Sequence, residues 1–230
     1  MEYRSPKTYS YLAMGAIGAT ALLQAFSLFA GIGQIVDPSR RLTGAQSLWM
    51  VLQAFIALFE LPILVLSIIF FLMWLYRGYT NLPALRSRGS EFTPGWSIGW
   101  WFIPFVNLVK PFQVVRNLWA ESDPEIDPEG FNINVQSGAP LFMTIWWLTW
   151  LIANFVANIA SGAMQSNSIN DVAASGYLFI VHGALHITAS ILAIVVIRSI
   201  TDRQEERHSR VGQLTPSMPP PPPVFQADPA

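Results

Sequence analysis

Residues 92–109 read FTPGWSIGWWFIPFVNLV. Whether this uncharged stretch crosses a bilayer decides the fold. Its 18 residues sit at the short end of the range for a transmembrane helix. Its content argues against a crossing, because two prolines, two glycines, an asparagine and three tryptophans suit the membrane interface better than the bilayer centre. Pro104 and Pro111 each remove a backbone donor, which predicts short helical pieces rather than one rod.

On either side lie four longer apolar runs, Thr8 to Val36, Leu42 to Tyr76, Ala139 to Asn170 and Val172 to Ile197, and only Glu60 interrupts them with a charge. About 20 helical residues cross the hydrocarbon, so each run is long enough to span with some tilt. Charge placement separates four spans from five. With four, Arg4, Lys7, Arg77, Arg86, Arg88, Lys110, Arg116, Arg198, Arg203, Arg207 and Arg210 share one side, and only Arg40 and Arg41 lie opposite. A fifth crossing would scatter them, leaving the positive-inside rule nothing to read. The expectation is an all-α, polytopic integral membrane protein with four transmembrane helices, near 10–36, 48–76, 139–165 and 174–198. A Trp/Pro-rich interfacial or re-entrant element occupies 92–119. By the same rule, both termini lie on the cytoplasmic side of the membrane.

Composition agrees. The chain has 230 residues, 52% hydrophobic and 12% charged, against roughly 25% charged in soluble domains. With a mean hydropathy of +0.40, it is neither disordered nor an ordinary soluble enzyme domain. The formal net charge of −1 provides no basic field for nucleic acid. With no cysteine, disulfides, thiolate metal sites and cysteine nucleophiles are excluded. The opening MEYRSPKTYSYLAMG precedes an apolar stretch too long for a signal-peptide core, and it reads as a retained first span.

The interfacial element and its approach form one candidate surface: Arg77, Trp96, Trp100, Trp101, Pro104, Asn107, Lys110, Pro111, Arg116 and Trp119. Lys110 and Arg116 suit headgroups while Phe105, Phe112, Val114 and Val115 suit the acyl boundary. These aromatics read either as an interfacial belt or as a partner-docking platform. Arg77 anchors span two; alternatively Arg77 and Arg116 together hold an anionic lipid headgroup or a phosphorylated ligand.

The strings FLMWLYRGYTNLPAL and FTPGWSIGWWFIPFVNLVKPFQVVRNLW, at 71–85 and 92–119, resemble the signature of the bacterial domain-of-unknown-function family 4328. The matching positions are Trp74, Leu75, Tyr76 and Arg77, then Trp96, Trp100, Trp101, Phe102, Pro104, Asn107 and Pro111. The resemblance implies a multi-span membrane protein of unassigned activity, and family membership alone does not give function.

A second candidate site is an intramembrane polar layer. Glu60 near the centre of span two costs about 2.5 to 3.5 kcal/mol to insert if charged, so it needs a partner or water. Counting about 1.5 Å per residue, it lies ~26 Å from Arg77, and His182 lies ~24 Å from Arg198. Gln24 and Asn154 fall near the same level. The expected layer comprises Gln24, Glu60, Asn154, Asn158, His182 and His186, with Glu60 and His182 as its ionisable pair. It reads as interhelical hydrogen-bond glue, as a proton or ion pathway, or as a ligand site. His182 and His186 at i and i+4 are a weak metal candidate, since no third histidine is near and no zincin motif surrounds them. No metal or cofactor is expected, and no catalytic motif is found.

The acidic loop ESDPEIDPEG at 121–130 places Pro128 where a calcium loop needs glycine, and it reads as a solvated turn. Residues 201–230 read as a flexible cytoplasmic tail ending in a PPPPP rod that is a spacer or a recognition peptide. The functional expectation is a non-enzymatic membrane component, a scaffold or accessory subunit. It binds membrane lipid, or a protein partner through the interfacial element or the tail. The alternative is a small transporter or proton/ion-conducting bundle using Glu60 and His182.

Overall fold

A computed structural model describes residues 2–36, 45–87, 90–125, 138–166 and 168–214. Six α-helices follow in order: α1 (Lys7–Val36), α2 (Ala45–Asn81), α3 (Pro94–Gly99), α4 (Lys110–Glu121), α5 (Leu141–Met164) and α6 (Ile169–Leu214), with no strand among the described residues. Of these, α1, α2, α5 and α6 are long and apolar enough to cross a membrane. Their backbones bond internally, as hydrocarbon requires. Even Pro62 lies inside an unbroken α2.

Helix α1 packs between α2 and α6, and α6 also packs against α5. Small residues permit the close approaches. A Cβ on Gly183 of α6 would stand 3.1 Å from the Gln24 amide nitrogen of α1. The fourth seam differs. Among the described residues α2 does not pack along α5, and the Trp-rich segment enters between them.

A buried cluster lies where Trp74, Leu75 and Tyr79 of α2 meet Val114, Val115 and Leu118 of α4 and Val196, Ile197 and Ile200 of α6. Gly78 sits in this contact because a Cβ there would come within 2.9 Å of Leu118 Cδ2. Toward the opposite face Leu22, Phe55, Leu58, Leu61 and Phe155 turn outward, as lipid-facing residues do where lipid is as apolar as the protein.

Helix α6 corrects the boundary drawn at residue 200. Its 46 residues measure about 69 Å, more than twice the roughly 30 Å hydrocarbon thickness. The 14 residues from Thr201 to Leu214, expected as the start of a flexible tail, continue the helix. The physical reason is their buried face of Thr201, Gln204, Arg207 and Val211, which repeats at helical spacing and packs under the loops following α2 and α4. The proline run lies outside the described residues.

Candidate functional site: an aromatic re-entrant segment and the cavity beneath it

Local chemistry breaks residues 93–121 into pieces. The Thr93 hydroxyl caps α3 by accepting from the Trp96 N–H at 3.3 Å, and Pro94 opens the helix, where its missing donor costs nothing. Trp100–Phe102 tighten into a 3-10 turn. Ile103 is extended before Pro104, as a residue preceding proline must be. Phe105 takes a φ of 62°, a left-handed conformation that is strained for a bulky side chain. A second 3-10 turn, Val106–Leu108, then leads into α4, which has Pro111 in its first turn.

The segment is held inside the bundle edge. The Trp101 ring meets Phe71 of α2 edge-on at 5.1 Å and Trp147 of α5 at 5.9 Å. The Trp147 indole N–H donates to the Leu108 carbonyl at 3.1 Å. Phe71 lies six residues inside Arg77, about 9 Å along the helix. The element therefore dips into the bundle and returns, and its tip residues Phe102 and Phe105 face outward, Phe105 being 87% exposed.

Beneath it is a cavity of about 300 Å³. Its walls include Ile17 and Thr20 from α1, Ser67 and Phe71 from α2, and Trp101 and Asn107 from the re-entrant segment. Trp147 and Trp150 of α5, with His186 and Ser190 of α6, complete them. Among the described residues no Lys, Arg, Asp or Glu lines it.

The remaining surface residues divide by depth. Trp96 is half exposed and lies against Trp100 at 4.7 Å. The Lys110 ammonium sits over Phe92 and Trp100 at 5.6 and 5.8 Å, and Arg77 sits over the Tyr9 ring at 5.5 Å. Pro111 is buried and Arg116 is exposed. Trp119 meets Phe142 edge-on and lies 4.1 Å beneath the Arg203 guanidinium. Pro104 occupies the turn just before the tip.

The polar-layer residues take separate partners. Glu60 accepts a long 3.5 Å contact from the Ser27 hydroxyl, linking α1 to α2. His182 Nδ1 lies 3.0 Å from the Ala153 carbonyl, linking α5 to α6, and Gln24 lies beside Gly183. Asn154 and Asn158 donate to the Trp150 and Asn154 carbonyls of their own helix. Thus the structure gives Glu60 and His182 different partners, and of the six only His186 reaches the cavity. The His182 and His186 rings are 5.6 Å apart. Among the described residues no group of three His, Asp or Glu could hold a metal ion.

A second polar network escaped the sequence reading. The buried Arg207 donates from Nε to the Leu85 carbonyl at 2.8 Å, from Nη2 to the Arg86 carbonyl at 3.1 Å and from Nη1 to the Asp123 carbonyl. Arg203 pairs with Asp123 at 2.8 Å. Gln204 donates to the Gly78 carbonyl and the Ser122 hydroxyl, both at 3.1 Å. The Trp74 indole donates to the Thr201 hydroxyl at 3.0 Å, and the Tyr79 hydroxyl donates to the Val114 carbonyl at 2.7 Å. The N-terminal arm joins through Asn81, which exchanges hydrogen bonds with the Arg4 backbone, and through Glu205, which receives Tyr3, Ser5 and Lys7. Burial and the neighbouring Glu205 carboxylate push the Tyr3 phenol above its ordinary value. The usable sequence signal was the spacing of Ile200, Gln204, Arg207 and Val211, which continues the inner face of α6 after hydropathy has ended.

These features define a polytopic α-helical membrane protein whose four long apolar helices are closed at one end by a Trp-rich re-entrant segment. The chain belongs to the family of the domain of unknown function DUF4328, whose model matches residues 43–202. That span runs from the start of α2 into α6 and takes in the re-entrant segment; α1 and the helical extension beyond residue 202 fall outside it. Neither the comparison with curated proteins nor that with solved structures finds a match.

Proposed function

We propose that the protein is a non-enzymatic component of the bacterial cytoplasmic membrane, with both termini in the cytoplasm, that serves as a scaffold or accessory subunit. Its working surface is the re-entrant segment, which engages a protein partner or membrane lipid. The observation behind this reading is the way the N-terminal arm, the loops after α2 and α4, and the α6 extension are bonded into one unit through Arg207, Gln204 and Asn81. Next to that fixed unit, Trp96, Phe102 and Phe105 stand outward. A rigid mount with outward aromatic anchors loses little entropy when it binds. The predominance of basic residues on this face is the basis for the orientation.

Conduction through the Glu60 and His182 level would need a shared wetted path. The contacts of those residues lie on different helix pairs, which favours the non-conducting reading.

The test is gentle-detergent purification of the tagged full chain, comparing wild type with Trp96→Ser/Phe105→Ser. The reading expects a stoichiometric companion with wild type and its loss with the double variant. A chain that elutes alone and monodisperse from native membranes would sink the accessory-subunit role.

A further inference from the structure

We infer that the cavity beneath the re-entrant segment binds an uncharged, ring-bearing amphiphile with a hydroxyl head, of the phenol class, taken from the surrounding lipid. Of the outward aromatics Trp96, Phe102 and Phe105, only Phe102 also touches this cavity, and the inference stands whether or not a partner protein exists.

The size and the walls limit the occupant. About 300 Å³ is at the lower end of small-molecule sites and roughly ten times the volume share of one water. Six of the described lining residues are Phe or Trp: Phe71, Trp101, Phe102, Trp146, Trp147 and Trp150. Such walls favour a planar apolar body that can stack or meet them edge-on.

The polar groups limit its head. Thr20 and Ser67 already donate to the Ile17 and Ile63 carbonyls of their own helices, at 2.7 and 2.8 Å. In contrast Trp101 Nε1, Asn107 Oδ1 and His186 Nδ1 are buried without a hydrogen-bond partner, and all three residues belong to the cavity wall. An unmatched buried donor or acceptor costs about 1–3 kcal/mol. Trp101 can only donate, whereas Asn107 Oδ1 can only accept. A hydroxyl can accept from an indole N–H or donate to an amide oxygen, whereas a carboxylate cannot donate to that oxygen and finds no cation among the described wall residues.

The test uses the full chain in phosphatidylcholine nanodiscs. Tryptophan emission is titrated with a ring-brominated long-chain alkylphenol, its methyl ether, a brominated straight-chain alcohol and a brominated fatty acid. The phenol should quench saturably. The methyl ether and the straight-chain alcohol should each need roughly three- to ten-fold more for half-saturation, by the worth of one neutral hydrogen bond or of ring stacking. The fatty acid should quench only linearly by partitioning. Ser190→Leu, which fills the cavity, should abolish the saturable component. Trp101→Phe keeps a ring but removes the donor and should weaken the phenol by a similar factor, which decides the matter if Ser190→Leu does not fold. Linear quenching by the phenol in wild type, quenching unchanged in both variants, or equal half-saturation by the ether, the alcohol or the fatty acid overturns the inference.

Discussion

Tyr3 lies stacked on His208, with ring centroids 4.0 Å apart and planes within 14°. A residue before the first helix and one near the end of the last described helix thus touch, so the chain crosses an even number of times. Tyr3 also donates to Glu205, so the arm before α1 and the α6 extension are packed together.

The cysteine-free sequence permits a direct check of orientation. Single cysteines replacing Ser5, Ser39 and Ser209 should divide into two groups in intact cells. Ser5→Cys and Ser209→Cys should resist a membrane-impermeant maleimide, and Ser39→Cys, between α1 and α2, should react. The reverse pattern would place the termini outside.

Arg207 is the centre of the buried network, and its planar fork reaches three backbone carbonyls. Arg207→Ala leaves those acceptors unmatched and should cost about 3–5 kcal/mol, at the scale of removing one partner from a buried charged contact. Arg207→Lys should recover little of it, because an ammonium cannot reproduce the fork. Thermal unfolding in detergent gives the measure, and an alanine variant as stable as wild type would refute the network's structural role.

Gly78 and Leu118 share a space too small for another methyl group, since a Cβ on Gly78 would come within 2.9 Å of the Leu118 side chain. Gly78→Ala should destabilise by about 1–3 kcal/mol through overpacking. Adding Leu118→Ala should cost less in that background than in wild type, since the smaller side chain makes room. A double-mutant cycle with zero coupling would contradict the contact.

Glu60 has only a 3.5 Å contact with Ser27 among the described residues. Glu60→Gln keeps an acceptor for that contact and removes an ionisable group from the span, so it should fold with stability equal to or above wild type. Proton flux into liposomes carrying the purified chain should match protein-free liposomes for both forms. Flux above that background in wild type that disappears in Glu60→Gln would establish the conducting alternative.

The Tyr3 phenol is raised by burial and by Glu205, so the folded state favours its neutral form. Its contribution to stability is complete below the unfolded value of about 10 and is lost as pH climbs beyond it. Melting temperatures followed from pH 9 upward should fall more steeply for wild type than for Tyr3→Phe. Parallel curves would show that the Tyr3 contact with Glu205 does not couple to folding.

That four long apolar helices would form, and that residues 92–109 would break into short pieces, was legible in the sequence, because each rests on local properties: run length and the placement of proline and glycine. Hydropathy placed Gln24, Glu60 and His182 at similar depths. Depth does not specify which way a side chain turns, and rotation about each helix axis gave Glu60 to Ser27, His182 to Ala153, and the two asparagines to their own helix.

The α6 extension was misread because hydropathy stops at the lipid boundary while helical packing does not. Thr201, Gln204 and Arg207 are polar yet buried, and only the loops folded over them supply the acceptors that make such burial affordable. Likewise the six Phe and Trp residues around the cavity come from α2, α5 and the re-entrant segment, so the cavity arises from how those elements meet. The sequence by itself determined what could enter lipid and where the chain must turn, since transfer energies accumulate residue by residue. Only the tertiary structure decided which polar atoms find each other and what space is left between helices, because hydrogen bonding and packing depend on distances between residues far apart in the chain.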